Sequence, residues 1–190
     1  MKQLHGTEIK RLMRSYRRAH PPRHEIIALC QSVEYPANVG SIFRLGDALD
    51  LQEIILPGIT PAPPNATLHK VARGKELRVP WRYVATPDEV IPELKAEGYL
   101  ICAVEITDTA VPYTELEYPD RVCLVVGHED HGVTNQTLSL CDTAVYIPMF
   151  GKGRSLNVHV SRSIVCAHLR YESCLRGGGH HGADQVRAQL

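Results

Sequence analysis

Three short stretches of this 190-residue chain combine glycine with polar side chains that no helix or strand requires. The first, Tyr35 to Arg44, ends in an arginine six residues after Asn38. A guanidinium there could meet a phosphate or a ligand at a sheet edge; an exposed helical arginine is the alternative. The second, Gly127-His128-Glu129-Asp130-His131-Gly132, sets a carboxylate on a tight turn. Glu129 could orient donors or accept a proton, or it could complement the macrodipole of a helix starting near Thr134. His128 and His131 are three apart, not at the HExxH spacing that puts two imidazoles on one helical face, so no metal is expected. The third stretch, Phe150 to Asn157, contains Gly-Lys-Gly-Arg-Ser. It is neither a GxxxxGK[ST] phosphate loop nor a GxGxxG fingerprint. Lys152 and Arg154 beside backbone amides nevertheless suit a phosphate of a polymeric substrate. His159 and His168 read as packing or surface residues.

Elements with suitable periodicity are available to hold these stretches. Residues 25–33, 53–58, 81–85, 100–106, 122–127 and 144–149 are short apolar runs that predict strands. Between them, 38–49, 88–98 and 134–140 predict helices, the first with Asn38 as N-cap. Residues 69–73 predict a helical turn in a segment bracketed by prolines. After the last strand, Gly151 and Gly153 allow a turn, and Ser155 is the expected N-cap of a final helix. Leu156, Val160, Ile164, Ala167 and Tyr171 then recur at helical spacing, as a stripe that packs on a core. Strands alternating with helices predict an α/β fold, a mainly parallel sheet with helices on both faces. Such sheets collect ligands beyond the strand ends, where all three stretches fall. On spacing alone, a ligand site and a plain structural turn are both open.

Ahead of the first strand, Thr7 to Arg18 predicts a helix capped by Thr7, with Ile9, Leu12, Met13 and Tyr16 along one side and a stop at His20-Pro21-Pro22. Residues 1–24 hold seven basic side chains against the single acid Glu8, leaving 14 basic and 20 acidic residues elsewhere. The chain therefore divides into a basic helical arm (1–23), one domain (24–172) and a flexible tail (173–190) that includes Gly177-Gly178-Gly179, His180 and His181. A basic arm on an acidic body suggests a polyanion touched by Lys10, Arg11, Arg14, Arg17 and Arg18, with Lys152 and Arg154 as a local patch. A solvated basic helix without a partner is the other reading. No apolar run approaches the ~18 residues of a membrane span. The N-terminus lacks the apolar region of a secretory signal, so a cytoplasmic protein is expected. Six cysteines, none in a CxxC pair, read as free thiols.

Taken together, the three stretches resemble the three motifs of the SPOUT superfamily of RNA methyltransferases, in its SpoU/TrmH branch of ribose 2′-O-methyltransferases. The first motif matches Asn38-Val39-Gly40-Ser41-Ile42-Phe43-Arg44. The second matches Leu124-Val125-Val126-Gly127-His128-Glu129-Asp130-His131-Gly132. The third matches Ile147-Pro148-Met149 followed by Ser155-Leu156-Asn157-Val158. The similarity covers about residues 24 to 172, in the right order.

The resemblance implies that the C-terminal helix is tucked through a loop in a deep trefoil knot, that S-adenosylmethionine lies bent within the knot, and that the protein is a homodimer. By position, it implies that Gly127, Ile147, Met149, Ser155 and Leu156 surround the cofactor, with Val104 and Glu105. Arg44 matches an arginine that helps deprotonate the ribose 2′-hydroxyl, across the dimer, and Asn38, Glu129, Ser155 and Asn157 match residues that shape the site and hold that arginine. A guanidinium is a poor base at neutral pH, so positioning and electrostatic help are what Arg44 is expected to supply. This chain departs from the pattern at His128, where many relatives have asparagine, at Asp130 and His131, and in the basic Gly-Lys-Gly-Arg-Ser loop. An RNA acceptor is implied, with tRNA ahead of rRNA. Alternatives are rRNA or a base nitrogen as acceptor, and a catalytically idle RNA-binding or assembly module on the same fold.

Overall fold

The computed structural model describes residues 1–176, with side chains through residue 172. Of the tail expected at 173–190, residues 173–176 continue the last helix, and 177–190, with the glycine run, His180 and His181, lie outside the described residues. Seven strands form one sheet: β1 (Glu25–Cys30), β2 (Glu53–Pro57), β3 (Trp81–Val84), β4 (Leu100–Val104), β5 (Val111–Pro112), β6 (Arg121–Val126) and β7 (Thr143–Tyr146). Their order is β3-β2-β1-β6-β4-β7-β5, and every pairing is parallel. β5 was not anticipated; two residues carry no periodicity.

Parallel strands must be covered on both faces, because they bury apolar side chains above and below. In β1, Ile26, Ala28 and Cys30 face one layer and Ile27 and Leu29 the other. The first layer is α2 (Pro36–Leu49), α3 (Ala66–Ala72) and α6 (Val158–Arg176); the second is α4 (Pro87–Ala96) and α5 (Asn135–Leu140). The basic arm does form a helix, α1 (Thr7–Ala19), but Gly6 rather than Thr7 is its N-cap and none of its residues is buried. Ile9 and Met13 of its expected apolar side are exposed. No helix among the described residues is long and apolar enough to cross a membrane. Cys30, Cys102, Cys123, Cys141 and Cys166 are free thiols.

Two helix starts differ from expectation, and both differences reach the site. α2 begins at Pro36 with Tyr35 as N-cap. Proline suits that first position, because its φ is preset and the N–H it lacks would have no helical partner. Asn38 therefore sits inside the first turn, its side chain free for other work. α6 starts at Val158, and the capping side chain is Asn157, whose Oδ1 accepts from the backbone N–H of His159 at 3.0 Å. Ser155 caps nothing.

The stripe expected to pack α6 on the core does so only in part: Leu156, just ahead of the helix, Val160 and Tyr171 are exposed, Ile164 is half-buried, and Ala167 packs against the core. The buried side is Val165, Cys166 and Leu169, continued by the polar residues Arg162 and Glu172. Glu172 meets the buried His24 at 3.4 Å, and His24 also bonds the Pro119 carbonyl at 2.7 Å. The segment between β5 and β6 meets α6, where Tyr113 and Tyr118 set ring edges against His168. Arg162 is the anomaly. It has no accessible surface, and its three guanidinium nitrogens have no hydrogen-bond partner among the described residues. Its charge is felt nearby: burial pushes the Cys30 thiol up to about 11, with Arg162 opposing the rise. A buried, unpaired charge costs more than its packing returns, and replacing buried ions by apolar groups of similar volume stabilises by roughly 1–4 kcal/mol. Arg162→Met is therefore expected to raise stability by about that much, at least about 2 °C in Tm. A thermal melt that fell would show that water or a second chain partners the guanidinium.

Candidate active site

Parallel sheets leave a crevice beyond the carboxyl ends of their strands, where loops diverge to opposite faces. Here a cleft of about 320 Å³ opens at the ends of β4, β6 and β7. Val104, Glu105, Gly127, Ile147, Met149, Ser155 and Leu156, the seven expected cofactor contacts, all line it. They come from four separate segments, so the fold and not the sequence brings them together.

The turn from Gly127 to Gly132 forms one wall. His128 and Gly132 exchange backbone hydrogen bonds at 3.0 and 2.9 Å, folding the turn back on itself. A Cβ on Gly127 would lie 2.1 Å from the Gly132 carbonyl, so only glycine allows this closure. Gly132 has φ +65° and lies against Glu105, whose Oε2 accepts from the Val133 N–H at 3.0 Å. Gln31, just past β1, accepts from the Thr134 N–H at 2.9 Å and braces the far end. Neither brace was legible in the sequence, since each joins segments far apart in the chain.

Glu129 is the hub of the polar residues. Its carboxylate accepts from the Glu34 N–H (2.9 Å), the Tyr35 N–H (3.3 Å) and the Asn38 side-chain amide (2.6 Å). Burial works against its charge, but the donated hydrogen bonds outweigh that and hold its carboxyl below the usual range. Because Asn38 gives its N–H to Glu129, its Oδ1 must face the other way. That oxygen accepts from Asn157 Nδ2 and meets His159 Nδ1, each at 3.2 Å. Asn38, Glu129 and Asn157 thus form one network, and His159 joins it unforeseen. The sequence held a weak signal: His159 lies two residues past Asn157, and a helix starting at Val158 turns both toward α2.

Other expected members stand apart. Arg44 is exposed and makes no hydrogen bond or ion pair with a described residue, so within one chain Glu129 and Asn38 do not hold it. Ser155 lines the cleft without joining the network. Arg154 also lines the cleft; Lys152, two residues earlier, is exposed and outside the lining, and the arm residues Lys10, Arg11, Arg14, Arg17 and Arg18 are exposed on α1. The rings of His128 and His131 lie 4.8 Å apart, and His128 Nε2 is 3.3 Å from Glu34. Among the described residues, no group of three or more His, Cys, Asp or Glu side chains could hold a metal ion.

Residues 25–167 match the model of the SpoU rRNA Methylase family, three quarters of the chain and every element of the cleft. The chain belongs to this family. The tRNA (guanosine(18)-2′-O)-methyltransferase of Escherichia coli (strain K12) is 31% identical over 144 residues, 75% of this chain and 62% of that protein. The 23S rRNA (guanosine(2553)-2′-O)-methyltransferase RlmP of Bacillus subtilis (strain 168) is 33% identical over 144 residues, 76% of this chain and 57% of that protein. The chain thus spans about 60% of the length of these curated relatives. An AdoMet-bound rRNA methyltransferase from Sinorhizobium meliloti superimposes with a TM-score of 0.74 at 25% identity, over 82% of this chain and 59% of that one. The A. aeolicus TrmH/SpoU tRNA modifying enzyme gives 0.73 at 23% identity, over 95% and 93%. The seven-stranded parallel sheet is therefore a SpoU fold, and the cleft lies within the part that the family shares.

Proposed function

We propose that this SpoU-family chain transfers a methyl group from S-adenosylmethionine to a ribose 2′-hydroxyl of RNA. The observation that carries this reading is the convergence of four segments on one nucleoside-sized cleft with the Glu129 network against its wall. The residues present suit the cofactor. Val104, Ile147 and Leu156 give apolar walls, the Gly127 turn gives close backbone approach, and the half-buried Glu105 carboxylate can accept from sugar hydroxyls. When bound, S-adenosylmethionine supplies an electrophilic methyl on a sulfonium.

The protein's share is to place and activate the hydroxyl. Asn38, fixed by Glu129, orients groups at the cleft edge, while Arg154 in the cleft wall and Lys152 nearby meet phosphates. The exposed basic residues of α1 supply sequence-independent attraction for the RNA backbone. The exposed Val160 and Tyr171 of α6 support a homodimer, since apolar residues left in solvent on a helix are suited to a second copy. Arg44, which has no hydrogen-bond or ion-pair partner among the described residues, would then serve the partner's site as a positioning and electrostatic group. The contacts of Tyr113 and Tyr118 with His168 of α6 are compatible with a knotted C-terminus, which this reading includes. A cytoplasmic setting follows from the RNA acceptor.

The relatives act on tRNA or rRNA by name, at similar identity and coverage, so both RNAs are assayed side by side, with tRNA kept as the first reading. The test is transfer of labelled methyl into unmodified tRNA and rRNA transcripts, with the modified nucleoside mapped by mass spectrometry. Arg44→Ala is expected to lower transfer about 10²-fold with cofactor affinity nearly unchanged. Unchanged turnover would remove Arg44 from the mechanism. Cofactor bound but no label in any RNA would point to an idle RNA-binding module.

A further inference from the structure

We propose that His159 is the general base that takes the proton from the attacking hydroxyl. The inference rests on the methyltransferase reading and supplies the group which that reading lacks, since a guanidinium cannot accept a proton at neutral pH.

The geometry fixes the tautomer. Glu129 is ionised and accepts only, so the Asn38 atom 2.6 Å from it must be the amide nitrogen. Asn38 Oδ1 then faces His159 and can only accept, so the hydrogen of a neutral imidazole sits on Nδ1. Nε2 is left with a bare lone pair and makes no hydrogen bond to a described residue. The ring is held from a second side as well. Its backbone N–H is capped by Asn157, whose own amide bonds the same Asn38 oxygen. A carboxylate thus orients a histidine through an intervening asparagine, and its negative charge favours the imidazolium that forms on proton transfer.

Position bears on this role through the cleft edge: His159 is not itself a lining residue, but Val158 and Ser161 beside it at the start of α6 line the cleft, as does Glu129, which shares its network. Half-buried, the imidazole is held below its usual pKa by burial, so it is neutral and ready at physiological pH. The charged groups on the elements packed against α6 are Arg44 and Asp47 of α2, Arg121 of β6 with Glu129 beyond it, and Glu105 beyond β4. On α6 itself they are Arg162, Arg170 and Glu172. None of these outweighs burial in setting the direction of the shift.

In the step itself, the ribose O2′–H bond breaks and its proton passes to Nε2. The O2′–methyl bond forms as the methyl–sulfur bond breaks, and that electron pair stays on sulfur as a neutral thioether. The imidazolium returns its proton to solvent.

The test combines single-turnover transfer with ¹⁵N NMR of the histidine ring, using the full-length protein and unmodified tRNA and rRNA transcripts. His159→Gln can still donate to Asn38 but cannot accept a proton. It is expected to lower the transfer rate about 10²-fold or more at pH 8. It should also abolish the acid limb on which the wild-type rate falls tenfold per pH unit. Cofactor affinity should hold within about twofold, because uniform binding is untouched. NMR of the wild type without RNA should show a neutral Nδ1–H ring that titrates below 6.5. A His159→Gln rate within about threefold of wild type, with the acid limb intact, would overturn the assignment and leave a merely positional histidine. An Nε2–H ring would overturn it too. A wild type that binds cofactor but labels no RNA would overturn the methyltransferase reading and the base with it, and the NMR titration separates that failure from an error in the tautomer.

Discussion

Glu129→Ala is expected to reduce methyl transfer by about 10²- to 10³-fold, the loss typical of removing a preorganised electrostatic group, although Glu129 need not touch the substrate. The carboxylate takes three donors, and its removal leaves the Glu34 and Tyr35 N–H groups and the Asn38 amide without their acceptor. The two backbone groups lie at an exposed turn and water can reach them, so the cost in stability is modest, about 2 kcal/mol. The cost in rate is larger because Asn38 is then free to flip. Its oxygen no longer has reason to face Asn157 and His159, and the Nδ1–H tautomer loses its enforcement. The Glu129 carboxyl is held below the ~4.3 of an unfolded glutamate. Its stabilisation is therefore complete above that value and is lost as pH falls through the lower folded value. Urea melts of wild type and Glu129→Ala should differ at pH 7, and the gap should shrink in acid as pH falls through that lowered value. Equal gaps at both pH values would mean that the carboxylate is not ionised in the fold.

The two kinds of information in the chain were unequally legible. The sheet was readable because each strand is a continuous apolar run, and burial on both faces leaves no alternation to misread. The three ligand-side loops were readable because glycine and polar residues interrupt those runs. The orientation of α6 was not. Its exposed residues Leu156, Val160 and Tyr171 make a cleaner stripe than its buried ones, which include Arg162 and Glu172. Periodicity finds an apolar face but cannot say whether core or a second chain covers it. His159 was missed for a related reason. Its role depends on Asn38, 121 positions away, and on a helix that starts at Val158 instead of Ser155. Arg44 shows the converse: its motif marks it plainly, yet no described residue partners it, so geometry adds nothing that the sequence lacked.

Gly127→Ala is expected to abolish cofactor binding and methyl transfer together, because it removes the cleft wall and not a single contact. β6 is buried through Val126, so residue 127 has no room to shift along the strand. An added methyl would lie 2.1 Å from the Gly132 carbonyl carbon and oxygen and 2.2 Å from the Val133 nitrogen. All three atoms are backbone, so no rotamer change relieves the clash. The turn must open, breaking the His128–Gly132 bridge and pulling Val133 away from Glu105. Loss of those bonds plus strain places the cost at roughly 3–4 kcal/mol, among the larger single-residue effects. Gly132→Ala provides the contrast. Its new methyl would meet Glu105 Oε2 at 2.3 Å, the movable end of a side chain, though φ +65° strains any L residue there. That strain costs only about 1–2 kcal/mol. Calorimetric titration with S-adenosylmethionine should therefore show no binding for Gly127→Ala and weakened binding for Gly132→Ala, with both proteins retaining their circular dichroism at 15 °C. If Gly127→Ala bound the cofactor with unchanged affinity, the turn would have a second closed form, and the cleft wall would be softer than its hydrogen bonds imply.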